Sequence, residues 1–205
     1  MMRVRNFVAA VVVCGAANTA GAQKMTGPHP TGAIPAPQLM DTTGLFLQRF
    51  AKVGDDLFIS GQPTEQGLRE LKKRGVTTVV NLRTPPEMAR IGFDEPKLIA
   101  ELGMKYVYLP VRGDSTAPYT PATVASFAKV MEETTSGKVA LHCTIAWRAS
   151  HLWAAYLIKY RGVDVPAALA SGNAINLSGY DPRTPGRQPV EAFLDRDLTQ
   201  LKHTP

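Results

Sequence analysis

The run from Val76 to Leu82 limits the architecture of this chain more than any other segment. Val76-Thr77-Thr78-Val79-Val80 is β-branched throughout, and Asn81-Leu82 completes it. Side chains of this kind are stiff at χ1 and suit the pleated backbone of a strand. The run is short and apolar without clean alternation, which marks a strand buried on both faces. Strand and helix patterns alternate around it. Further strands are expected over 57–60, 106–109 and 138–142, and helices over 65–74, 95–102, 121–135, 149–161 and 190–201. Thr64 caps the first helix and Gly75 closes it. Pro121 suits the first position of a helix. Pro85-Pro86 reads as a chain break, and residues 110–120 as a loop. Such alternation predicts an α/β fold, a central and mainly parallel sheet flanked by helices. In sheets of that type the chemistry sits at the carboxyl ends of the strands.

The 205 residues suffice for one domain and a targeting segment. Arg3 and Arg5 precede an apolar stretch over 7–17, and Ala20-Gly21-Ala22 supplies the small residues that a signal peptidase reads. Residues 1–22 are therefore expected to be a cleaved secretory signal, 23–44 a Pro/Gly-rich linker, and 45–203 the domain. Cys14 also follows the apolar run, but Val13 stands where a lipoprotein signal has a small residue. The expected location is secreted or periplasmic, with no stable membrane insertion after cleavage. Signal removal lowers the formal charge from +6 to +4, since two arginines and no acidic residue leave. Basic residues are scattered without aromatic interleaving, which argues against nucleic acid as a partner. The remaining positive field favours an anionic substrate.

Cys14 leaves with the signal, so Cys143 is the one cysteine of the mature chain and has no intramolecular disulfide partner. It lies in His142-Cys143-Thr144-Ile145-Ala146-Trp147-Arg148-Ala149-Ser150, between an expected strand and an expected helix. A loop that wraps a helix N-terminus aims several backbone N–H groups at one point and places the positive end of the dipole there. An anion is held in such a loop, and a thiolate is stabilised. Arg148 adds a planar fork for an oxyanion, and the Ser150 hydroxyl is placed to reach the sulfur. Thr144, Ile145, Ala146, Trp147, Ala149 and Ser150 are the expected anion-binding loop, with Cys143 as nucleophile.

At these residues the chain resembles the dual-specificity and tyrosine-phosphatase-like superfamily, and within it the bacterial beta-lactamase-hydrolase-like phosphatase family. The resemblance rests on Ile59-Ser60-Gly61-Gln62-Pro63-Thr64, on Gly75-Val76 through Asn81-Leu82-Arg83, on Glu87, and on Gly103 to Tyr106 with Leu109-Pro110-Val111. It ends with His142-Cys143 through Arg148, Ser150 and Leu152-Trp153. It implies phosphomonoester hydrolysis through a phosphocysteine at Cys143, with Arg148 on the phosphoryl oxygens and a loop aspartate as general acid. Asp114 is the candidate for that acid. The sequence also departs from the superfamily. Four residues separate Cys143 from Arg148 where phosphatases of this kind typically have five, and Ala146 replaces the usual loop glycine. The shorter spacing is similar to that of rhodaneses.

Two further readings therefore stand beside the phosphatase: a sulfurtransferase working through a Cys143 persulfide, and an oxyanion-binding module without turnover. His142 and Arg83 are expected to support the loop, and Arg83 is expected to pair with Glu87. Trp147 either walls the pocket or plugs it. The four histidines show no metal-ligand spacing. No metal or cofactor is implied, and the expected partner is a phosphorylated or other oxyanionic substrate.

Overall fold

The computed structural model describes residues 35–177 and 189–198. The expected signal, residues 23–34 of the linker, Cys14, His29 and His203 lie outside the described residues. Six strands form one sheet: β1 (Gln38–Leu39), β2 (Phe50–Val53), β3 (Leu57–Ser60), β4 (Val76–Asn81), β5 (Lys105–Tyr108) and β6 (Lys138–His142). Their order is β1-β2-β3-β6-β4-β5. The last four are parallel, while β1 and β2 extend one edge in antiparallel fashion. The sheet thus starts inside the segment read as linker, and β2 joins it unannounced.

Strand alternation assigns the two faces. Leu57, Ile59, Val80, Leu82, Val139 and Leu141 point into one apolar layer, which contains α4 (Pro121–Glu133), α5 (Trp147–Tyr160), α6 (Val165–Ile175) and α7 (Pro189–Leu194). Phe58, Val76, Val79 and Ala140 point the other way, onto α1 (Glu65–Lys73) and α3 (Glu95–Glu101). Helix α5 is the centre of the larger layer, buried continuously from Arg148 to Leu157. Among the described residues no helix is long and apolar enough to cross a membrane.

One element differs in kind from the sequence reading. Pro85-Pro86 starts a helix rather than breaking the chain. The single turn α2 (Pro85–Met88) carries both prolines in its first turn, where no intrahelical donor is needed, and Thr84 and Glu87 close a capping box ahead of it. Helix α5 also begins two residues earlier than expected, at Trp147, which brings Arg148 into its first turn.

The parallel register lines up the strand ends. Ser60 lies opposite His142, His142 opposite Asn81, and Asn81 opposite Tyr108. The segments after β3, β6, β4 and β5 therefore emerge side by side.

Candidate active site

Cys143 directly follows the last residue of β6, and its N–H donates to the Ser60 carbonyl at 3.4 Å. The loop turns sharply at Ala146, which sits in the left-handed region at φ 67° and forms the N-cap of α5. Alanine has no side-chain oxygen, so the first-turn N–H groups of α5 receive no side-chain cap. That leaves the end of α5 suited to an anion. Two contacts clamp the loop. The Gln62 N–H donates to the Thr144 carbonyl at 2.9 Å, and Asn176 Nδ2 donates to the Ile145 carbonyl at 2.6 Å. Gly61 makes the first possible. A Cβ there would lie 1.8 Å from the Leu47 carbonyl oxygen and 2.9 Å from that of Thr144, so only glycine lets the three backbones meet.

Arg148 is buried and fixed from several directions. Nη1 donates to the Val111 carbonyl at 2.7 Å, to Glu87 Oε2 at 3.0 Å and to the Leu82 carbonyl at 3.3 Å. Nη2 donates to Glu87 Oε1 and, at 3.0 Å, to the Thr144 hydroxyl. A guanidinium has five N–H groups. The terminal four meet these acceptors, and among the described residues only Nε–H meets no protein acceptor. Burial works against the Arg148 charge, but the Glu87 bonds and the nearby Cys143 outweigh it and hold the group firmly protonated. Burial likewise pushes Glu87 up, yet bonds from Arg148, Thr84 and Thr144 pull it down to about 2.

A second polar network lies beneath the strand ends. Glu95, the first residue of α3, is completely buried. Its carboxylate accepts from His142 Nε2 at 3.1 Å, Asn81 Nδ2 at 2.9 Å and Gln62 Nε2 at 2.5 Å. Burial raises its pKa, but His142 and Gln62 together prevail and keep the carboxyl below its ordinary range. Gln62 in turn accepts from Arg83 Nη1, and Arg83 Nη2 donates to the Glu87 backbone carbonyl at 2.8 Å. The Ser-Gly-Gln-Pro and Asn-Leu-Arg elements thus join one connected set of bonds that ends at the Glu87–Arg148 pair.

A cleft of about 330 Å³ opens over Arg148. Pro86, Glu87, Arg90, Arg112, Tyr119 and Trp147 line it with Arg148, so Trp147 forms a wall. Cys143 is 1% exposed, packs its side chain within the larger apolar layer and does not line the cleft.

Other expected residues sit differently. The Ser150 hydroxyl donates to the Ala146 carbonyl at 2.8 Å and not to the sulfur, because a buried helical serine finds the carbonyl four residues back closest. Ala149 is buried in the first turn of α5. Arg83 meets the backbone of Glu87 while the Glu87 carboxylate belongs to Arg148, so the expected Arg83–Glu87 side-chain pair is not made. Asp114 lies on an exposed turn. Its Oδ1 accepts from the Thr116 hydroxyl at 2.7 Å, the Thr116 N–H at 2.9 Å and the Ala117 N–H at 3.0 Å. Those bonds lower its pKa. Sequence reasoning missed Glu95 and Asn176. A glutamate in a first helical turn looks like an ordinary dipole partner, and no local pattern marks either residue.

Known proteins are similar to this chain in sequence and fold. Residues 51–193 match the family model of the DSP-PTPase phosphatase fused to NAD+ kinase. The chain is 32% identical over 108 residues to the beta-lactamase hydrolase-like protein of Xylella fastidiosa, a match that covers 52% of this chain and 24% of that protein. It therefore spans only about a quarter of the length of that relative. A putative phosphatase from Shewanella putrefaciens superposes with a TM-score of 0.50 at 27% identity, over 66% of this chain and 85% of the other. P. aeruginosa TpbA, in complex with phosphotyrosine, shares the fold at a TM-score of 0.52 and 22% identity, over 67% and 77% of the two chains. A buried cysteine between strand and helix, an arginine in the first turn behind it and a family match across both place this chain in the DSP-PTPase family of cysteine-phosphatase-like proteins.

Proposed function

We propose that the chain is a cysteine-dependent phosphomonoesterase that uses Cys143 as its nucleophile. The supporting observation is the pinned Arg148. Glu87, Val111 and Thr144 hold its guanidinium at the uncapped end of α5, next to Cys143 in the chain fold. Positioning of this kind stabilises the charge that gathers on the phosphoryl oxygens in the transition state. The Cys143 thiolate attacks phosphorus, the P–O bond to the alcohol breaks, and the alcohol takes up a proton. Water then hydrolyses the phosphocysteine and restores the thiolate. Thr144, Ile145, Ala146, Trp147 and Ala149 supply the backbone cradle, with His142 and Arg83 behind it. Asp114 closes its own turn and is held ionised, so water protonates the leaving group. Aryl phosphates, whose leaving groups need little protonation, are the best substrates.

The commitment of Asp114 favours one second reading. Transfer of a sulfane sulfur from thiosulfate to the Cys143 thiolate, with release of sulfite, requires no general acid. Full-length protein assayed with an aryl phosphate and with thiosulfate decides between them. Aryl-phosphate turnover abolished by Cys143→Ser, and lowered less than about threefold by Asp114→Asn, supports the phosphatase. Thiosulfate turnover alone supports sulfur transfer. A third measurement tests access: iodoacetate should alkylate Cys143, and inorganic phosphate should protect it. A thiol that stays inert in the folded protein overturns both enzymatic readings and leaves an oxyanion-binding module.

A further inference from the structure

Charge at the cleft is divided unevenly. On the floor, Arg148 is neutralised by Glu87 and its terminal N–H groups are all engaged. The buried Arg83 turns toward Gln62 and the Glu87 backbone and does not line the cleft. The rim is different. Arg90 is exposed and makes no side-chain bond or ion pair with any described residue. Arg112 is also exposed, and among the described residues its guanidinium has one partner, Asp114, at a loose 3.8 Å.

Both rim arginines ride on the segments that fix the floor. Arg90 follows α2, the turn that presents Glu87 to Arg148, and its N–H donates to the Glu87 carbonyl. Arg112 adjoins Val111, whose carbonyl accepts from Arg148. Its turn is tied by bonds from the Arg112 and Gly113 amides to the Ala117 carbonyl, at 2.7 and 2.8 Å, and closed by Asp114. The backbone positions that carry the two guanidinium groups are thereby fixed relative to Arg148. At about 330 Å³ the cleft falls within the range of small-molecule sites, with more room than one phosphoryl group requires.

We infer that Arg90 and Arg112 form a second anion subsite, and that the substrate is a compact polyanion with one phosphoryl group at Arg148 and another anionic group on the rim. The inference rests on the phosphomonoesterase reading only for which group reacts. A site for a lone monoester has no use for two exposed rim cations, one without a side-chain partner among the described residues and one only loosely paired, whereas a molecule with two phosphate-type groups satisfies both ends at once.

Binding tests this without turnover. Full-length Cys143→Ser protein is titrated by calorimetry with inorganic phosphate and with tripolyphosphate. The same titrations are run on versions carrying Arg90→Ala and Arg112→Ala, or the charge-matched remote pair Arg69→Ala and Lys97→Ala. Tripolyphosphate should bind at least about tenfold tighter than phosphate, and the rim pair should remove that advantage while the remote pair keeps it. Co-sedimentation with vesicles carrying phosphatidylinositol phosphate then separates a lipid headgroup, which would be retained through the rim, from a soluble polyanion, which would not. Equal affinity for the two anions, or an advantage that survives the rim pair, overturns the subsite and leaves the phosphomonoesterase reading intact. Absence of binding by either anion overturns both.

Discussion

Glu87 and Glu95 look alike in the sequence. Each stands in the first turn of a short helix beside a proline, and each ends up bonded to a basic residue from the Cys143 segment. Their surroundings separate them. Glu95 has no contact with solvent and is ringed by donors from His142, Asn81 and Gln62. Glu87 reaches the cleft and keeps a fifth of its side-chain surface in water. The first is a foundation under three strand ends, and the second is a hinge pin for the arginine on the cleft floor. A buried charge surrounded by donors is costly to disturb, while a partly wet one remains responsive to ligand and pH.

The largest effect is expected at the foundation. Glu95→Ala removes the acceptor that His142, Asn81 and Gln62 share, leaves the buried His142 Nε2 with no acceptor among the described residues, and should cost about 3–5 kcal/mol in chemical denaturation. The loss should appear as instability of the whole domain, since Asn81 and His142 belong to the central strands β4 and β6. A cost below about 1 kcal/mol would mean that the network relaxes or floods, and the contrast with Glu87 would collapse.

Glu87 sharpens the contrast through pH. Its folded pKa of about 2 lies below the ordinary 4.5, so the carboxylate form is the one that stabilises the fold. That contribution is complete above the unfolded value and is lost as pH falls from about 4.5 toward 2. Its size should be on the order of 2 kcal/mol, below what the full shift implies because the group is partly solvated. Glu87→Gln should lower stability at neutral pH by a similar amount and flatten the acid limb below 4.5, as followed by thermal melts across pH. Because Arg148 loses its anchor, phosphate affinity should also drop by about tenfold. Glu95→Gln offers the complement, with a larger loss of stability.

The same contrast explains what the sequence could reveal. The parallel strands were legible because Val76–Asn81 and Lys138–His142 bury both faces and carry runs of β-branched or apolar residues. β2 was not, because Phe50–Val53 is four residues long, includes Lys52 and leads straight into a Gly-Asp-Asp turn. The turn α2 was available in principle. Thr84-Pro85-Pro86-Glu87 has the spacing of a capping box with proline in the first turn, but paired prolines read more readily as a break. Gln62, Asn81 and Arg83 could be picked out as motif residues, yet their common purpose could not, since Glu95 gathers Gln62 and Asn81, and Arg83 joins through those two. Arg83 and Glu87 are expected to pair because both sit just after the same strand end, whereas the partner of the Glu87 carboxylate lies 61 residues along the chain. Separations of that kind are set by strand order, which local pattern does not encode.

The smallest expected effect concerns the loop that the two carboxylates support. Ala146 holds φ 67°, a conformation that costs a non-glycine residue roughly 1–2 kcal/mol. Ala146→Gly removes that strain. It also gives up a methyl group buried in the larger apolar layer, about 0.8 kcal/mol, and adds unfolded-state freedom of roughly 0.5–1 kcal/mol. The opposing effects nearly cancel, so stability should stay within about 1 kcal/mol of the parent. The methyl packs into the core and not toward the cleft, so phosphate affinity should change less than about twofold. A marked gain in either quantity would show that alanine strains the cradle itself. The loop would then be held in place against its own preference, and the clamps from Gln62 and Asn176 would matter more than either glutamate.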